Sequence, residues 1–219
     1  MYADLEKAKN ILKERGYSVN DPWDIVECFE DMVAKYAGSK YAVAVDSCTN
    51  AMFLCLKYLN AAGSVKVPKK TYLSVPQLVM HAGCEVEFVD LEWKGTYKLE
   101  PYPVIDSATR FTKDMYIQDT YQCLSFHIRK NLPIAKGGMI LTNDLDSVRW
   151  FKEAEYEGRD RRVPHDEMPE PTICGWNMYM PPEQAARGIV LFNSLPESIE
   201  DCGGSYKYKD ISNWNIFKK

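Results

Sequence analysis

The sequence lacks the features that mark metal-binding, membrane and nucleic-acid-binding proteins. Its seven cysteines are an odd number without a Cys-x-x-Cys pair, so the usual spacings of structural zinc sites are absent. No apolar run approaches the roughly 18 residues that a membrane helix needs. The net charge of -4 gives no broad electrostatic basis for nucleic-acid binding. We therefore predict no metal site, no membrane span and no nucleic-acid partner.

The N-terminus also lacks the apolar core of a signal peptide, since residues 1–7 are mostly polar. The scattered cysteines are typical of buried free thiols in a reducing compartment. These observations predict a cytoplasmic location. The composition, with 46% hydrophobic and 26% charged residues, is that of an ordinary globular chain. It fits either one domain of moderate size or one large domain with a tail.

The patterns of apolar residues predict a series of helices and strands. The helices have apolar residues at three- and four-residue spacing, and the strands are short apolar runs bounded by turn residues. Helices are predicted at 3–15, 22–37, 51–59, 74–81, 145–156 and 182–195. Strands are predicted at 41–45, 65–68, 83–90, 103–106 and 139–142. Asp21 and Pro22 form a typical helix start, with Asp21 as the N-cap.

The segment 123–142 is the most informative part of the chain. It has an apolar run at each end and a polar loop between them. Gly137 and Gly138 allow the backbone to turn there or to approach something closely without a side chain in the way. Lys130 thus lies on a loop between two predicted strands, a short one at the apolar stretch 123–124 and the one at 139–142, and reactive groups are often held on such loops. From these residues alone, Lys130 is either such a group or an ordinary surface lysine near a hairpin.

Two other strand ends carry polar residues. The segment 46–50 lies between a strand and a helix, so its backbone N–H groups stand free at a helix start and suit a phosphate. Many such turns are only capped helices. Asp106 ends another strand, and open α/β sheets bind ligands at the carboxyl ends of their strands. Aspartates at strand ends are also commonly N-caps or salt-bridge partners, and the residues alone leave these alternatives open.

These segments together resemble the DegT/DnrJ/EryC1/StrS family of pyridoxal-phosphate (PLP) aminotransferases, which act on keto sugars attached to nucleotides. The pattern Ser-Phe-x-x-x-Lys-x-Leu at 125–132, followed by Gly-Gly-Met-Ile at 137–140, is similar to the family's cofactor-lysine loop. The segments 40–51, 103–109 and 175–186 also resemble family segments and occur in the family's order. The resemblance extends over about residues 20–195.

The resemblance implies an α/β fold, a trimmed form of the large domain of a fold-type I PLP-dependent transferase with a mainly parallel sheet between helices. Residues 91–103 are too few for the strand–helix unit that relatives carry there, so a deletion is expected. We expect residues 1–198 to form a single PLP-binding α/β domain with N-terminal helices. Residues 199–219 are expected to form a C-terminal tail, and the small C-terminal domain usual in relatives is expected to be absent.

The resemblance gives Lys130 and Asp106 catalytic roles. Lys130 is implied to form a Schiff base with PLP, since a neutral amine forms an imine with an aldehyde. Asp106 is implied to pair with the pyridine nitrogen of PLP, where an ionised carboxylate keeps that nitrogen protonated and strengthens the electron sink. Ser125 is implied to bind the cofactor phosphate.

Four further residues are implied to contact the cofactor. Thr49 and Asn50 are assigned to the phosphate, although Cys48 stands where relatives have a glycine. A cysteine is strained there if the backbone has a positive φ. Tyr72 is expected to stack on the PLP ring, the alternative being a half-buried core tyrosine. Asn177 is expected to reach the PLP phosphate of the neighbouring subunit, which implies a homodimer with shared active sites; the alternative is an asparagine in a turn.

The implied function is that of a PLP-dependent sugar aminotransferase. An amino acid, glutamate in most relatives, would donate its amino group, and a keto sugar attached to a nucleotide would accept it. Lys130 argues against the dehydratase branch of the family, which has histidine at this position. Two alternatives stay open: a non-catalytic binding or regulatory protein of the same fold, and a chain whose site a partner chain completes. The arginines at 159, 161 and 162 form either a solvated surface or a site for the nucleotide's diphosphate.

Overall fold

The computed structural model describes residues 2–196 and 198–218, and its helices lie close to the predicted positions. They are α1 Tyr2–Glu14, α2 Pro22–Ala37, α3 Cys48–Tyr58, α4 Ser74–His81, α5 Leu145–Ala154 and α6 Pro182–Phe192. Two short 3-10 helices follow at 205–207 and 215–217. Among these described residues, no helix has the length and apolar character needed to span a bilayer.

The start of α2 shows why its bounds are readable in the sequence. The carboxylate of Asp21 accepts the N–H of Trp23 at 2.8 Å, and the N–H of Asp21 donates to the carboxylate of Asp24 at 2.9 Å. Pro22 takes the first helical position, where no N–H is needed, and Gly38 ends the helix with φ 85°. The predicted N-cap is therefore confirmed.

Seven strands in the described residues form two sheets. They are β1 Tyr41–Val45, β2 Ser64–Pro68, β3 Glu85–Val89, β4 Tyr97–Lys98, β5 Val104–Asp106, β6 Tyr121–Ser125 and β7 Gly138–Thr142. One sheet has five strands in the order β1-β7-β6-β5-β4, and the other pairs β2 with β3. The N–H of Lys66 donates to the carbonyl oxygen of Glu100 at 2.8 Å, so a backbone hydrogen bond joins β2 to the connection between β4 and β5.

The α/β class is confirmed, but the expectation of a mainly parallel sheet is wrong. The pairs β5–β6 and β2–β3 are parallel, whereas β1–β7, β6–β7 and β4–β5 are antiparallel, so three of the five pairings are antiparallel. The connection between β4 and β5 spans only 99–103, which is too short for the crossover that a parallel pair requires. β7 runs against both of its neighbours because the loop 126–137 turns back on itself instead of crossing the sheet.

The segment between β3 and β5 contains the two-residue strand β4 and no helix, as its length predicted. β4 pairs with β5 in a register that sets Tyr97 opposite Asp106 and Lys98 opposite Ile105. The shortened connection therefore brings a tyrosine next to the predicted catalytic aspartate.

Helices cover both faces of the five-stranded sheet. Along β1, Val43 and Val45 belong to the apolar cluster that includes α3, α4 and α5. Ala42 and Ala44 belong to the cluster that includes α1, α2 and α6. This division follows from the alternation of side chains along a strand. Because both faces are buried, the strand ends remain as the places where the sheet meets a ligand.

Residues 199–218, the C-terminal segment, pack against the β4–β5 hairpin and its surroundings. Arg110 donates to both carboxylate oxygens of Asp201, at 2.8 and 2.7 Å. The N–H of Gly95 donates to the carbonyl oxygen of Gly203 at 3.0 Å. The predicted domain boundary stays a prediction, but the C-terminal segment is bonded to the rest of the fold.

Candidate active site

A cavity of about 670 Å³ lies at the edge of the sheet where β5 and β6 end and β7 begins. Five of the seven predicted site residues line it, namely Thr49, Tyr72, Asp106, Ser125 and Lys130. Its other lining side chains include those of Cys48, Trp93, His127, Arg129, Lys136, Lys207 and Tyr208. The volume falls in the range of about 300–1,000 Å³ that is usual for small-molecule sites. The fold thus gathers the predicted strand ends and the lysine loop around one space.

The first turn of α3 faces this cavity, and α3 begins at Cys48 rather than at the predicted residue 51. The earlier start follows from Ser47, whose hydroxyl accepts the N–H of Asn50 at 3.2 Å and caps the helix. The amides of Cys48 and Thr49 have no helical acceptor, since the first N–H groups of a helix lack partners. They offer donors for an anion at the positive end of the helix dipole.

Thr49 and Asn50 differ in where they point. Thr49 lines the cavity, and its hydroxyl is 2.7 Å from that of Ser74. The amide of Asn50 instead donates to the carboxylate of Asp46 at 2.7 Å. The structure therefore brings Thr49 to the cavity and leaves Asn50 outside it, because Asp46 holds the Asn50 side chain.

Tyr72 and Asn177 also occupy different positions. The ring of Tyr72 lines the cavity and is 63% exposed, so this residue is not part of the core. An open ring face is what stacking on a flat ligand requires. Asn177 lies outside the cavity, and its amide donates to Glu157 at 2.9 Å. Its contact with a neighbouring subunit stays a prediction.

Cys48, which replaces the family's glycine, is accommodated without backbone strain. It lies in α3 and is not among the residues with a positive φ. Its Sγ is 3.9 Å from Oδ1 of Asp106 and 3.4 Å from the carbonyl oxygen of Cys123. Burial raises the pKa of the Cys48 thiol well above its usual value. The thiol therefore lies beside Asp106 as a weak hydrogen-bond donor.

Asp106 is a buried carboxylate with a hydrogen bond to each oxygen. Oδ1 accepts the N–H of Ala108 at 2.8 Å, and Oδ2 accepts the hydroxyl of Tyr97 at 2.5 Å. Burial raises the pKa of Asp106, while these hydrogen bonds and the charge of Lys130 lower it. Oδ1 also accepts the Cys48 thiol, whereas Oδ2 retains a further lone pair, so the carboxylate can still accept a hydrogen bond from a ligand.

Lys130 lies on the loop between β6 and β7, so the predicted loop between two strands is confirmed. Its N–H donates to the carbonyl oxygen of His127 at 2.9 Å. Its side chain is partly buried and, within the part of the chain that the structure describes, makes no hydrogen bond or ion pair. Lys136 also lines the cavity, but it pairs with Asp46 at 3.3 Å. Of these two loop lysines, Lys130 is the one whose amine is open to a ligand.

Gly138 brings the lysine loop against the first turn of α3. A Cβ at this position would lie 2.3 Å from the carbonyl carbon of Ser47 and 2.5 Å from the nitrogen of Cys48. No side chain fits there, since both neighbours are backbone atoms. The predicted close approach is confirmed, and it fixes the distance between the free amides of α3 and the loop that carries Lys130.

Ala135, on the same loop, has φ 89°, a left-handed conformation that is costly for a residue with a Cβ. Ala135→Gly is expected to raise the free energy of unfolding by about 1 kcal/mol, because glycine adopts this φ without strain. Ala62→Gly is the control, since Ala62 is exposed and has no positive φ, and we expect it to lower stability slightly. Urea unfolding measures both, and an Ala135→Gly protein no more stable than the wild type contradicts this prediction.

The sequence did not reveal the rings of Trp93 and Tyr208, which line one side of the cavity, or the ring of Tyr97, which packs on Trp93. The ring of Trp93 lies 4.7 Å from that of Tyr97 and 5.7 Å from that of Tyr208, measured between ring centres. Burial raises the pKa of Tyr208 to about 12. Trp93 and Tyr97 come from the segment where the family resemblance breaks off, and Tyr208 comes from beyond its end. No motif therefore marked them.

The arginines at 161 and 162 are engaged by acidic residues. Arg161 is 5% exposed at its side chain and donates to Glu155 at 3.0 Å. Arg162 donates to Asp24 at 2.8 Å. These ion pairs tie the segment to α2 and to the end of α5. The side chain of Arg161 is thus buried, and Arg162 is exposed but ion-paired, so neither guanidinium is left free for a diphosphate.

The residues around the cavity fit PLP. The free amides of α3, with the hydroxyls of Thr49 and Ser125, suit a phosphate. The carboxylate of Asp106 suits a protonated ring nitrogen, and the amine of Lys130 suits an aldehyde. Residues 2–196 and 198–218, which include this cavity, contain no group of three or more His, Cys, Asp or Glu residues that could hold a metal ion.

Comparison with known proteins identifies the family of the chain. The profile of the DegT/DnrJ/EryC1/StrS aminotransferase family matches residues 4–121 and 116–202. The chain belongs to this family. The cofactor of the family is PLP, so the cofactor that the lysine loop predicted is confirmed at the level of the family.

The individual relatives are distant and longer. The spore coat polysaccharide biosynthesis protein SpsC of Bacillus subtilis (strain 168) is 26% identical, in a match covering 57% of this chain and 44% of that protein. The structure of DesI in the presence of its TDP-sugar product has a TM-score of 0.65 and 19% identity, covering 90% of this chain and 59% of that chain. DesV of S. venezuelae, in complex with a ketimine intermediate, has a TM-score of 0.67 and 19% identity, covering 88% of this chain and 62% of that chain. These likenesses confirm the predicted transferase fold, and this chain spans less than two thirds of each relative.

Proposed function

We propose that this chain is a PLP-dependent sugar aminotransferase. It moves an amino group from an amino acid, with glutamate as the expected donor, to the keto group of a nucleotide-linked sugar. One observation carries the proposal: Lys130, Asp106 and the free amides of α3 surround one cavity in a member of an aminotransferase family. DesI, which has the same fold, was captured with its TDP-sugar product, and this supports a nucleotide-linked sugar as the substrate.

The residues of the cavity bind and orient the cofactor in this proposal. PLP supplies an aldehyde that links to amines and a ring that withdraws electrons from the reacting carbon. The amides at the start of α3, with the hydroxyls of Thr49 and Ser125, hold its phosphate. Tyr72 stacks on one face of the ring. Asp106 accepts a hydrogen bond from the ring nitrogen and, when ionised, keeps that nitrogen protonated.

Lys130 has two roles. Its Nζ would hold the cofactor through the aldehyde that PLP carries. The same amine, when free, would take a proton from the reacting carbon and return one to it. Lys136 stays paired with Asp46, which supports Lys130 as the lysine that does this work.

Positive charge around the cavity suits acidic substrates. Arg129 and Lys207 line it in addition to the two loop lysines. The carboxylates of an amino-acid donor and the diphosphate of a nucleotide are anions that guanidinium and ammonium groups bind. This distribution of charge supports both proposed substrates.

We also propose that two copies of the protein share their active sites and that it works in the cytoplasm. The side chain of Asn177 is exposed and lies outside the cavity of its own chain. This position supports a contact with the cofactor phosphate of the other subunit.

A second candidate is a non-catalytic binding or regulatory protein of the same fold. It is favoured by the burial of Asp106, which raises the pKa of that carboxyl. A neutral Asp106 would not keep the ring nitrogen protonated, and the bound cofactor would be a poor electron sink. A site completed by a partner chain is the third candidate, since the chain spans 44% of the curated relative SpsC.

The absorption spectrum of the purified protein with added PLP tests the proposal. We expect a visible band from lysine-bound PLP that glutamate converts to the band of the amino form of the cofactor. A band that no amino donor changes would favour the non-catalytic candidate, and the absence of a band would overturn the proposal. Formation of an amino sugar by the purified chain alone would exclude both rivals.

A further inference from the structure

Asp106 can hold a protonated ring nitrogen only when its own carboxylate is ionised, yet its position opposes ionisation. The residue is 6% exposed. Removing a carboxylate from water disfavours its charged form, and burial is the largest influence on the pKa of this group. A site that uses Asp106 in this way therefore needs a group that offsets the burial.

Tyr97 is placed to provide that offset. The pairing of β4 with β5 sets Tyr97 opposite Asp106, and its hydroxyl is 2.5 Å from Oδ2. The Tyr97 side chain is itself buried, at 5% exposure, and its ring packs on that of Trp93. Backbone register and ring packing together hold the hydroxyl against the carboxylate.

Thr71 fixes the direction of the hydrogen bonds. Its Oγ1 lies 2.6 Å from the hydroxyl oxygen of Tyr97. Tyrosine has one hydroxyl proton and an ionised carboxylate only accepts, so Tyr97 donates to Asp106 and Thr71 donates to Tyr97. Donation from Thr71 polarises the Tyr97 hydroxyl and strengthens its bond to the carboxylate.

We propose that Tyr97 is a positioning residue for Asp106. The hydroxyl of Tyr97 keeps the buried carboxylate of Asp106 ionised and oriented, and it leaves that carboxylate a lone pair for the ring nitrogen of the cofactor. The proposal rests on the proposed cofactor site, although the Tyr97–Asp106 pair is present in the protein without a ligand. Tyr97 stands on β4, in the segment where the sequence departs from the family, so this support is a feature of the shortened chain.

Other titratable groups also face Asp106. They are the thiol of Cys48 from α3, the thiol of Cys123 from β6, the ammonium of Lys130 from the lysine loop and the phenol of Tyr208 from the C-terminal segment. The charge of Lys130 also favours the ionised form of Asp106. That charge changes when Lys130 binds the cofactor, whereas the hydrogen bond from Tyr97 does not depend on it.

Tyr97→Phe tests the proposal, because it removes the hydroxyl and keeps the ring that packs on Trp93. In the protein without cofactor, carbon-13 NMR of labelled aspartate carboxyls follows each titration, and Asp106→Asn assigns the Asp106 signal. We expect Asp106 to bind its proton about tenfold more tightly in Tyr97→Phe, which raises its pKa. Tyr102→Phe is the matched control, since the Tyr102 hydroxyl bonds the backbone of Ala62 at 2.8 Å, outside the cavity.

An unchanged Asp106 titration in folded Tyr97→Phe would overturn the proposal. If that variant does not fold, Thr71→Val takes its place: a smaller rise in the pKa of Asp106 is expected, and no rise would overturn the proposal. The rise in the pKa of Asp106 is measured without cofactor and is expected even if the protein binds no PLP. A failure of the proposed function is therefore distinguished from a failure of this proposal. Where PLP binds, lowering the pH should weaken its binding once Asp106 is protonated. In Tyr97→Phe this rise in the dissociation constant should begin at a higher pH than in the wild type, because Asp106 there has the higher pKa.

Discussion

Lys130→Ala is expected to abolish covalent binding of PLP. The Lys130 side chain lines the cavity and makes no hydrogen bond or ion pair among the described residues, and alanine offers no nitrogen for the link. Borohydride reduction in the presence of PLP should add one cofactor to each wild-type chain and only background label to the variant, as measured by intact mass. Transamination should fall by about 10²- to 10⁴-fold from the loss of proton transfer alone.

Lys136 provides the sharpest comparison, because it lines the same cavity from the same loop. Lys136→Ala breaks the ion pair with Asp46 and leaves the amine of Lys130 in place. We expect this variant to retain the reduced label, and peptide mapping should find the label on Lys130. Label on Lys136, or a full label in Lys130→Ala, would contradict the assignment.

The parts of the fold that the sequence predicts well depend on local interactions. The bounds of α2 are set by Asp21, Pro22 and Gly38, all within the helix or next to it. The start of α3 was placed too late because Ser47 acts as the N-cap, and its role was hidden by the polar residues that follow. These polar residues begin the helix because their amides gain a cap at Ser47.

The sequence predicts the sheet less well, because part of its pairing joins distant segments: Tyr41 of β1 lies opposite Thr142 of β7. The alternation of helices and strands is also compatible with parallel neighbours, yet the two-residue strand β4, too short to show an apolar pattern, folds back on β5. The lysine motif identified Lys130 and Ser125 from sequence, since a loop motif is local. The bond between Tyr97 and Asp106 has no such signature, because it arises only when β4 takes its register beside β5.

The ion pairs of Arg162 were also not predictable, because their acidic partners are distant in sequence. A cluster of positive charges resembles an anion site when its partners are far away in sequence. Arg162 donates to Asp24 on α2, which lies 138 residues earlier in the chain. The positive charges around the cavity come from the lysine loop and from Lys207 of the C-terminal segment. No sequence motif indicated the position of Lys207.

Gly138→Ala is expected to destabilise the protein strongly. The added Cβ would lie 2.3 Å from the carbonyl carbon of Ser47 and 2.6 Å from its oxygen. No rotamer change relieves a clash with backbone, so either β7 or the start of α3 must move. Overpacking of a core typically costs about 1–3 kcal/mol, and we expect a loss of about 3 kcal/mol or more in the free energy of unfolding here.

Gly63→Ala separates this clash from backbone strain. Gly63 has φ 72° and nothing within 4 Å of an added Cβ, so alanine there meets only strain, which costs about 1 kcal/mol. Urea unfolding compares the two variants. Affinity for PLP should fall in Gly138→Ala, because the movement separates the α3 amides from the loop of Lys130, and should persist in Gly63→Ala. The prediction is contradicted if Gly138→Ala and Gly63→Ala lose equal stability and both keep the PLP affinity of the wild type. Gly138 would then not set the distance between the α3 amides and the loop of Lys130.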